Sequence, residues 1–133
     1  MDLISNKISD INILAKANFN KLKELSLEEN EISDINVLEK VNFEELDVLF
    51  LNHNEISDIN VLEKVNFKEL TYLYLNNNNI SDIKSLKNIQ FQKIKIISLE
   101  NNKININNQE NSSIINNLRA KNIKLFFYHN DYI

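Results

Sequence analysis

The sequence predicts an α/β solenoid, and three observations lead to that fold class. The 133-residue chain repeats at a fixed interval of 24 residues, and each repeat contains a short segment of alternating apolar and polar residues. It has no Gly, Pro or Cys, and 26 of its residues are Asn. A constant period of roughly 20 to 50 residues is typical of solenoids, propellers and repeat arrays. Alternation predicts one strand per repeat, so we expect stacked strand-and-turn units.

The 24-residue period is carried by several columns of matching residues. The tetrapeptide Ile-Ser-Asp-Ile begins at four positions, and Phe, Leu and Asn recur in the same register. The columns include Ile8, Ile32, Ile56 and Ile80; Phe19, Phe43, Phe67 and Phe91; Leu27, Leu51, Leu75 and Leu99; and Asn6, Asn30, Asn54, Asn78 and Asn102. An Asn-rich composition alone could indicate a disordered tract, but this register predicts a folded chain.

The second repeat illustrates how the pattern predicts secondary structure. Residues 22–27 alternate apolar and polar side chains, which predicts a short strand with alternate Leu residues facing the core. Residues 35–41 have apolar residues at helical spacing, which favours a short helix or 3₁₀ turn on the outer side. Ser33 and Asp34 precede that segment, and either is a candidate N-cap.

The repeated pattern Leu-x-x-Leu-x-Leu-x-x-Asn-x-Ile resembles that of the leucine-rich repeat family, with internalin-type and phosphatase-regulator-type repeats as similar members. It occupies residues 22–32, 46–56, 70–80 and 94–104. The resemblance implies a right-handed superhelix with a concave parallel β-sheet and short helical or 3₁₀ turns on the convex side. It also implies that Asn30, Asn54, Asn78 and Asn102 form a buried ladder whose amides bond backbone groups of the turns. Other Asn residues are expected in turns where Gly could have served.

We expect one leucine-rich repeat domain over residues 1–133. Its parts are a partial first repeat (residues 1–6), 24-residue repeats to about residue 104, and an atypical capping repeat over about residues 105–133. In the capping repeat, residues 113–121 predict a longer helix with serine as the N-cap candidate. Residues 123–127 predict a final strand, and Asn130 falls at the ladder position.

Function is expected on the concave face, where the side chains between the core Leu residues point outward. Apolar and aromatic residues cluster there, with His53 beside them. The candidate partner-binding residues are Val48, Phe50, Tyr72, Tyr74, Ile96, His53, Phe126 and Tyr128. An apolar cluster with a polar rim is a signature of protein contact, and Tyr is frequent among binding hot spots. The alternative is that cross-strand aromatic pairs only stabilise the sheet.

Composition and motifs give little support for other functions. No nucleophile motif or metal-ligand set is present, so we expect no catalytic residue, metal or cofactor. The alternative is a catalytic or ligand-binding site in which His53 pairs with the carboxylate of Glu29. A net charge of -4 and a pI near 5.2 argue against nucleic-acid binding. No apolar run is long enough for a membrane span and no signal peptide is visible, which favours a cytoplasmic protein.

The sequence therefore predicts a non-enzymatic module that binds a protein partner of unknown identity on its concave face. One alternative is a structural or fragmentary solenoid that self-associates through an uncapped N-terminal end near Ile4 and Ile8. Another is a regulatory subunit of an enzyme such as a phosphatase. We expect a monomer or a weak homo-oligomer.

Overall fold

A computed structural model describes residues 1–128, and its centre is a parallel sheet of five three-residue strands. The strands are β1 (Glu24–Ser26), β2 (Val48–Phe50), β3 (Tyr72–Tyr74), β4 (Ile96–Ser98) and β5 (Lys124–Phe126). They lie in the order β1-β2-β3-β4-β5, and matching positions of successive repeats pair with each other. The N-terminal residues continue the stack, because Asp2 forms an isolated parallel bridge with Ser26. The predicted α/β solenoid is confirmed.

The opposite side of the repeats consists of short 3₁₀ helices, as predicted. They are η1 (Asn12–Lys16), η2 (Asn36–Glu39), η3 (Asn60–Glu63) and η4 (Lys84–Asn88). The aspartate of each Ile-Ser-Asp-Ile segment accepts a hydrogen bond from the first backbone N–H of the following helix, at 2.8 Å in all four cases. Of the two residue types predicted to cap these turns, aspartate therefore makes the bond.

The C-terminal helix α1 (Gln109–Ala120) begins earlier than the sequence pattern predicted. Asn108 is its N-cap, and Asn108 Oδ1 accepts from the backbone N–H groups of Glu110 and Asn111. The prediction of a serine cap near Ser113 was wrong, because the Asn108 side chain satisfies the free N–H groups of a turn that starts upstream of the apolar residues. Within residues 1–128, no helix is long and apolar enough to cross a membrane.

One hydrophobic core fills the space between the sheet and the helices. The Leu and Ile columns of the repeats are almost fully buried in it, including Leu49 and Leu73 at 0% exposure. The phenylalanine side chains of successive repeats contact one another, with tilted rings whose centroids are 5.5 Å apart between Phe43 and Phe67. Because each core residue packs against its counterpart in the next repeat, a constant period keeps the core continuous.

A column of asparagines, buried at Asn30, Asn54 and Asn78 and partly buried at Asn102, connects the repeats. Asn54 Oδ1 accepts from the N–H of Ile32 at 3.0 Å, and Asn54 Nδ2 donates to the carbonyls of Leu27 and Leu51. The same pattern recurs at Asn30, Asn78 and Asn102. Each side chain therefore bonds the backbone of its own repeat and of the one before it. Asn130, the next predicted position, lies outside the described residues.

A left-handed turn precedes each of these asparagines. The residues with positive φ in this column are Ser5, Glu29, His53, Asn77 and Asn101, with φ between 54° and 58°. The expectation that Asn would replace Gly in turns is only partly correct, because Glu29 and His53 also adopt this conformation. Asn tolerates it best among non-glycine residues, since its short polar side chain bonds locally.

Candidate interaction surface on the concave sheet

The three-residue strands divide their side chains between two faces. The middle residue of each strand points into the core, so the residues on either side of it point outward. The outer face of the sheet, which is the concave face, carries two rows across β2, β3 and β4. One row is Val48, Tyr72 and Ile96, and the other is Phe50, Tyr74 and Ser98. The register thus brings together five of the predicted residues, Val48, Phe50, Tyr72, Tyr74 and Ile96, which we call the aromatic patch.

Two members of the aromatic patch, Phe50 and Tyr74, cover each other. Phe50 and Tyr74 stack with ring centroids 4.8 Å apart and planes 7° from parallel. All five side chains are half-buried rather than fully exposed. Stacking of this kind holds the rings in a defined orientation, so the patch is a preformed apolar surface.

The hydroxyl of Tyr74 remains protonated at neutral pH. Burial raises the pKa of Tyr74 above its ordinary value, and the nearby Tyr72 and Glu100 raise it further. A neutral phenol can both donate and accept a hydrogen bond. The patch therefore offers polar groups at its edge as well as apolar area.

Polar side chains border the patch on the C-terminal side of the strands. Asn52 Nδ2 donates to Glu28 Oε2 at 2.7 Å, and Ser98 Oγ bonds Asn76 Oδ1 at 3.1 Å and Glu100. Glu100 is only 4% exposed. The alternation of apolar and polar residues does not indicate this burial, and the nearby Ser98 is the residue whose hydroxyl bonds Glu100.

The two predicted C-terminal residues differ in exposure. Phe126 is the register partner of Ser98 and is 9% exposed, whereas Tyr128 is 57% exposed. Both have further contacts within the chain. Tyr128 therefore offers more side-chain area to a partner than Phe126 does.

His53 lies at the margin of the concave face, in the left-handed turn described above. Its Nε2 is 3.2 Å from Asn77 Nδ2, while Glu29 accepts a hydrogen bond from Ser5 Oγ. Across residues 1–128, no ion pair joins His53 to Glu29. No group of three or more His, Asp or Glu side chains in that part of the chain is placed to hold a metal ion.

A family model described as leucine-rich repeats (2 copies) matches residues 44–88. This range contains β2, β3 and the 3₁₀ helix that follows each of them, and the same unit recurs in register on both sides. Residues 44–88 therefore match two leucine-rich repeats. Leucine-rich repeat domains generally act in protein–protein interaction. No curated protein sequence matches the chain.

Solved structures share the leucine-rich repeat fold. Internalin C2 of Listeria monocytogenes is 23% identical with a TM-score of 0.62, over 83% of this chain and 57% of its own. A chain of the Drosophila melanogaster SNF/U2A′ complex is 23% identical with a TM-score of 0.67, over 98% of this chain and 75% of its own. The functional domain of InlJ from Listeria monocytogenes is 16% identical with a TM-score of 0.60, over 96% of this chain and 29% of its own. The chain thus spans little more than half of internalin C2 and under a third of the InlJ chain.

Proposed function

We propose that this protein is a non-enzymatic interaction module that binds a protein partner on its concave face, centred on the aromatic patch. The observation that carries the proposal is the contiguity of five apolar side chains on the outer face of β2, β3 and β4. Polar groups border this surface. Protein–protein interfaces have the same arrangement, with an apolar core surrounded by a polar rim. The SNF/U2A′ structure, a similar fold in a protein complex, supports the same class of function.

The main competing explanation is that the patch only stabilises the sheet. The Phe50–Tyr74 stack accounts for part of the clustering in that way. Tyr72 belongs to the other row, beside Val48 and Ile96, and no ring stack among residues 1–128 includes it. Its position therefore favours a binding role over sheet stabilisation alone, and its substitution separates the two explanations.

The test compares two double variants. One carries Tyr72→Ala and Tyr74→Ala, and the control carries Lys64→Ala and Lys68→Ala, at exposed positions away from the sheet. Each protein is immobilised and incubated with extract of the source cell, and the retained proteins are quantified by mass spectrometry. We expect one protein to be retained by the wild type and the lysine variant but lost from the tyrosine variant. If the tyrosine variant is folded by circular dichroism and retains the same proteins, the proposal is wrong. The identity of the retained protein would also reveal an enzyme partner, such as a phosphatase.

Self-association is a second candidate, favoured by exposed apolar side chains at the first repeat. Ile13 is 65% exposed and Met1 is 38% exposed, whereas Val37, which follows Ile13 by one period, is 6% exposed. Sedimentation of the wild type and of Ile13→Lys at several concentrations tests this candidate. We expect a concentration-dependent dimer that Ile13→Lys abolishes, and a strict monomer at every concentration would exclude it.

A further inference from the structure

The first residues of the five strands form one row across the concave face, with opposite charges at its two ends. The parallel register aligns them in strand order, and we call this set the outer row: Glu24, Val48, Tyr72, Ile96 and Lys124. An acidic residue begins the row, three apolar or aromatic residues occupy its middle, and a basic residue ends it. Neighbouring strands lie about 4.8 Å apart, so the two charged ends are about 19 Å apart.

Both charged ends of the outer row are exposed. The four ion pairs found among residues 1–128 include neither Glu24 nor Lys124, which are also too far apart to pair with each other. The N-terminal ammonium lies near Glu24 but donates to its backbone carbonyl, at 2.6 Å. The two charges are therefore available to a partner that covers the concave face.

The outer row is complementary to its own reverse. When a second copy faces the first with the strand order reversed, β1 lies opposite β5, and β2 lies opposite β4. Glu24 then faces Lys124 of the second copy, and Val48 faces Ile96. Tyr72 lies on the two-fold axis and faces Tyr72 of the second copy. Each of the other contacts occurs twice, which is the property of a closed symmetric dimer interface.

A second outward row has complementary side-chain sizes under the same reversal. This row follows the strand order as Ser26, Phe50, Tyr74, Ser98 and Phe126. Reversal places a serine opposite a phenylalanine at every position except the central Tyr74, and small residues opposite large ones let two surfaces interlock. Because the face is concave, its middle strand is furthest from a facing copy. Both rows have a large tyrosine on that strand, which suits the wider gap.

The charge of the whole chain has the same polarity as the outer row. Residues 1–70 contain 15 acidic and 7 basic residues, whereas residues 71–133 contain 4 acidic and 8 basic residues. The reversed arrangement places the acidic half of each copy over the basic half of the other. A facing copy in the same direction would instead place like charges together. Electrostatic complementarity therefore selects the reversed orientation.

We propose that the protein partner of the concave face is a second copy of this chain, bound face to face with the strand order reversed. Glu24 of each copy pairs with Lys124 of the other, and the two aromatic patches form the apolar centre. The inference rests on the proposed function, because it names the partner of that same surface. Interfaces below about 1,200 Å² are typical of transient complexes, and a face about 19 Å long belongs to this class. We therefore expect a weak dimer that dissociates on dilution.

Charge reversal tests the pairing, with sedimentation velocity of the full chain at several concentrations as the measurement. Glu24→Lys and Lys124→Glu should each weaken dimerisation about tenfold or more, because each places like charges opposite each other twice. An equimolar mixture of the two variants should dimerise about as well as the wild type, since each copy supplies the charge that the other lacks. Glu44→Lys makes the same change in net charge at an exposed position outside the strands and should leave dimerisation unchanged. A wild type that stays monomeric, or a mixture as weak as either variant alone, would overturn the inference.

Thiol cross-linking tests the register, because the chain has no cysteine of its own. Facing sheets lie about 10 Å apart, a distance that a short bismaleimide spans. Val48→Cys should give far more cross-linked dimer in a mixture with Ile96→Cys than alone, since these positions face each other only across the reversed interface. Equal yields with and without the second variant would contradict the reversed register.

These outcomes are separable from those of the proposed function. If the wild type is monomeric but Tyr72→Ala with Tyr74→Ala still loses its cellular partner, the second-copy inference fails and the interaction module stands. If the charge-reversed mixture dimerises and the tyrosine variant dimerises as well as the wild type, the charged pairing stands and the role of the aromatic patch fails. A dimer that Ile13→Lys abolishes but Glu24→Lys leaves intact would assign self-association to the first repeat and would exclude the face-to-face arrangement.

Discussion

The two faces of the same sheet follow different rules. On the inner face, the middle residues of the strands are Leu25, Leu49, Leu73, Ile97 and Leu125, which have nearly the same size and are all buried. On the outer face, the residues that follow them are Ser26, Phe50, Tyr74, Ser98 and Phe126, which differ in size and polarity. The inner column repeats because each member packs against its own copy in the next repeat. The outer column has no such constraint, so its variation is where recognition of a particular partner can reside.

The largest effect is expected from truncating the inner face. Leu73→Ala should lower the free energy of unfolding by about 2–5 kcal/mol, because Leu73 is fully buried between equivalent residues and its removal leaves a cavity. The neighbouring change Tyr72→Ala should cost less than half as much, since Tyr72 is half-buried on the outer face. Urea unfolding of both variants measures the difference. Equal losses of unfolding free energy would contradict the claim that the two faces of the sheet contribute differently to stability.

A slightly smaller effect is expected from the asparagine ladder. Asn54→Leu should destabilise the protein by about 1–3 kcal/mol, because the Ile32 N–H loses its acceptor. Asn79→Leu, in the equivalent loop of the next repeat but with an exposed side chain, serves as the matched control and should change stability by less than about 0.5 kcal/mol. Thermal unfolding of the two variants checks this, and a larger loss for Asn79→Leu would contradict it.

Sequence reasoning was most successful where the period applies. Stacked copies require the same side chains at the same positions. The period therefore predicted the position of β2 between Leu46 and Leu51, and that of the 3₁₀ helix after Asp58. Sequence reasoning also placed Val48, Phe50 and Tyr72 on one outward face, since alternation determines direction within a strand.

The sequence was less informative where the period ends or where side chains meet on the outer face. The start of α1 was misplaced because Asn108 caps a turn that contains no apolar residues. The burial of Glu100 and of Ser26 depends on how neighbouring side chains orient, and a pattern of residue types does not specify orientation. The left-handed turns at Glu29 and His53 are imposed by the repeat geometry rather than by the preference of those residues.

A smaller effect is expected from the ring stack on the outer face. A double-mutant cycle with Phe50→Ala and Tyr74→Ala should give a coupling energy of about 0.5–1.5 kcal/mol, the usual value for aromatic pairs. The cycle Val48→Ala with Tyr74→Ala has no ring stack and should give a smaller coupling. Chemical denaturation of the six proteins involved measures both. A coupling near zero for Phe50 and Tyr74 would mean that the stack does not hold the patch in place.

The smallest effect is expected in the alkaline pH dependence of stability. The pKa of Tyr74 is raised in the folded protein, so the unfolded chain loses this proton first as the pH rises. The associated stability is complete below the unfolded pKa of about 10 and is lost as the pH rises through the folded pKa. Between about pH 8 and pH 11, the wild type should therefore lose stability more steeply than Tyr74→Phe. Parallel curves would exclude this contribution of Tyr74.

Site-specific photo-crosslinking tests the central claim most directly. A photoreactive phenylalanine analogue at position 72, on the concave face, is compared with the same analogue at position 64, an exposed site away from the sheet. Both proteins are irradiated in extract of the source cell, and cross-linked products are identified by mass spectrometry. The account predicts one dominant adduct from position 72 that is absent from position 64. An adduct from position 64 alone would contradict it.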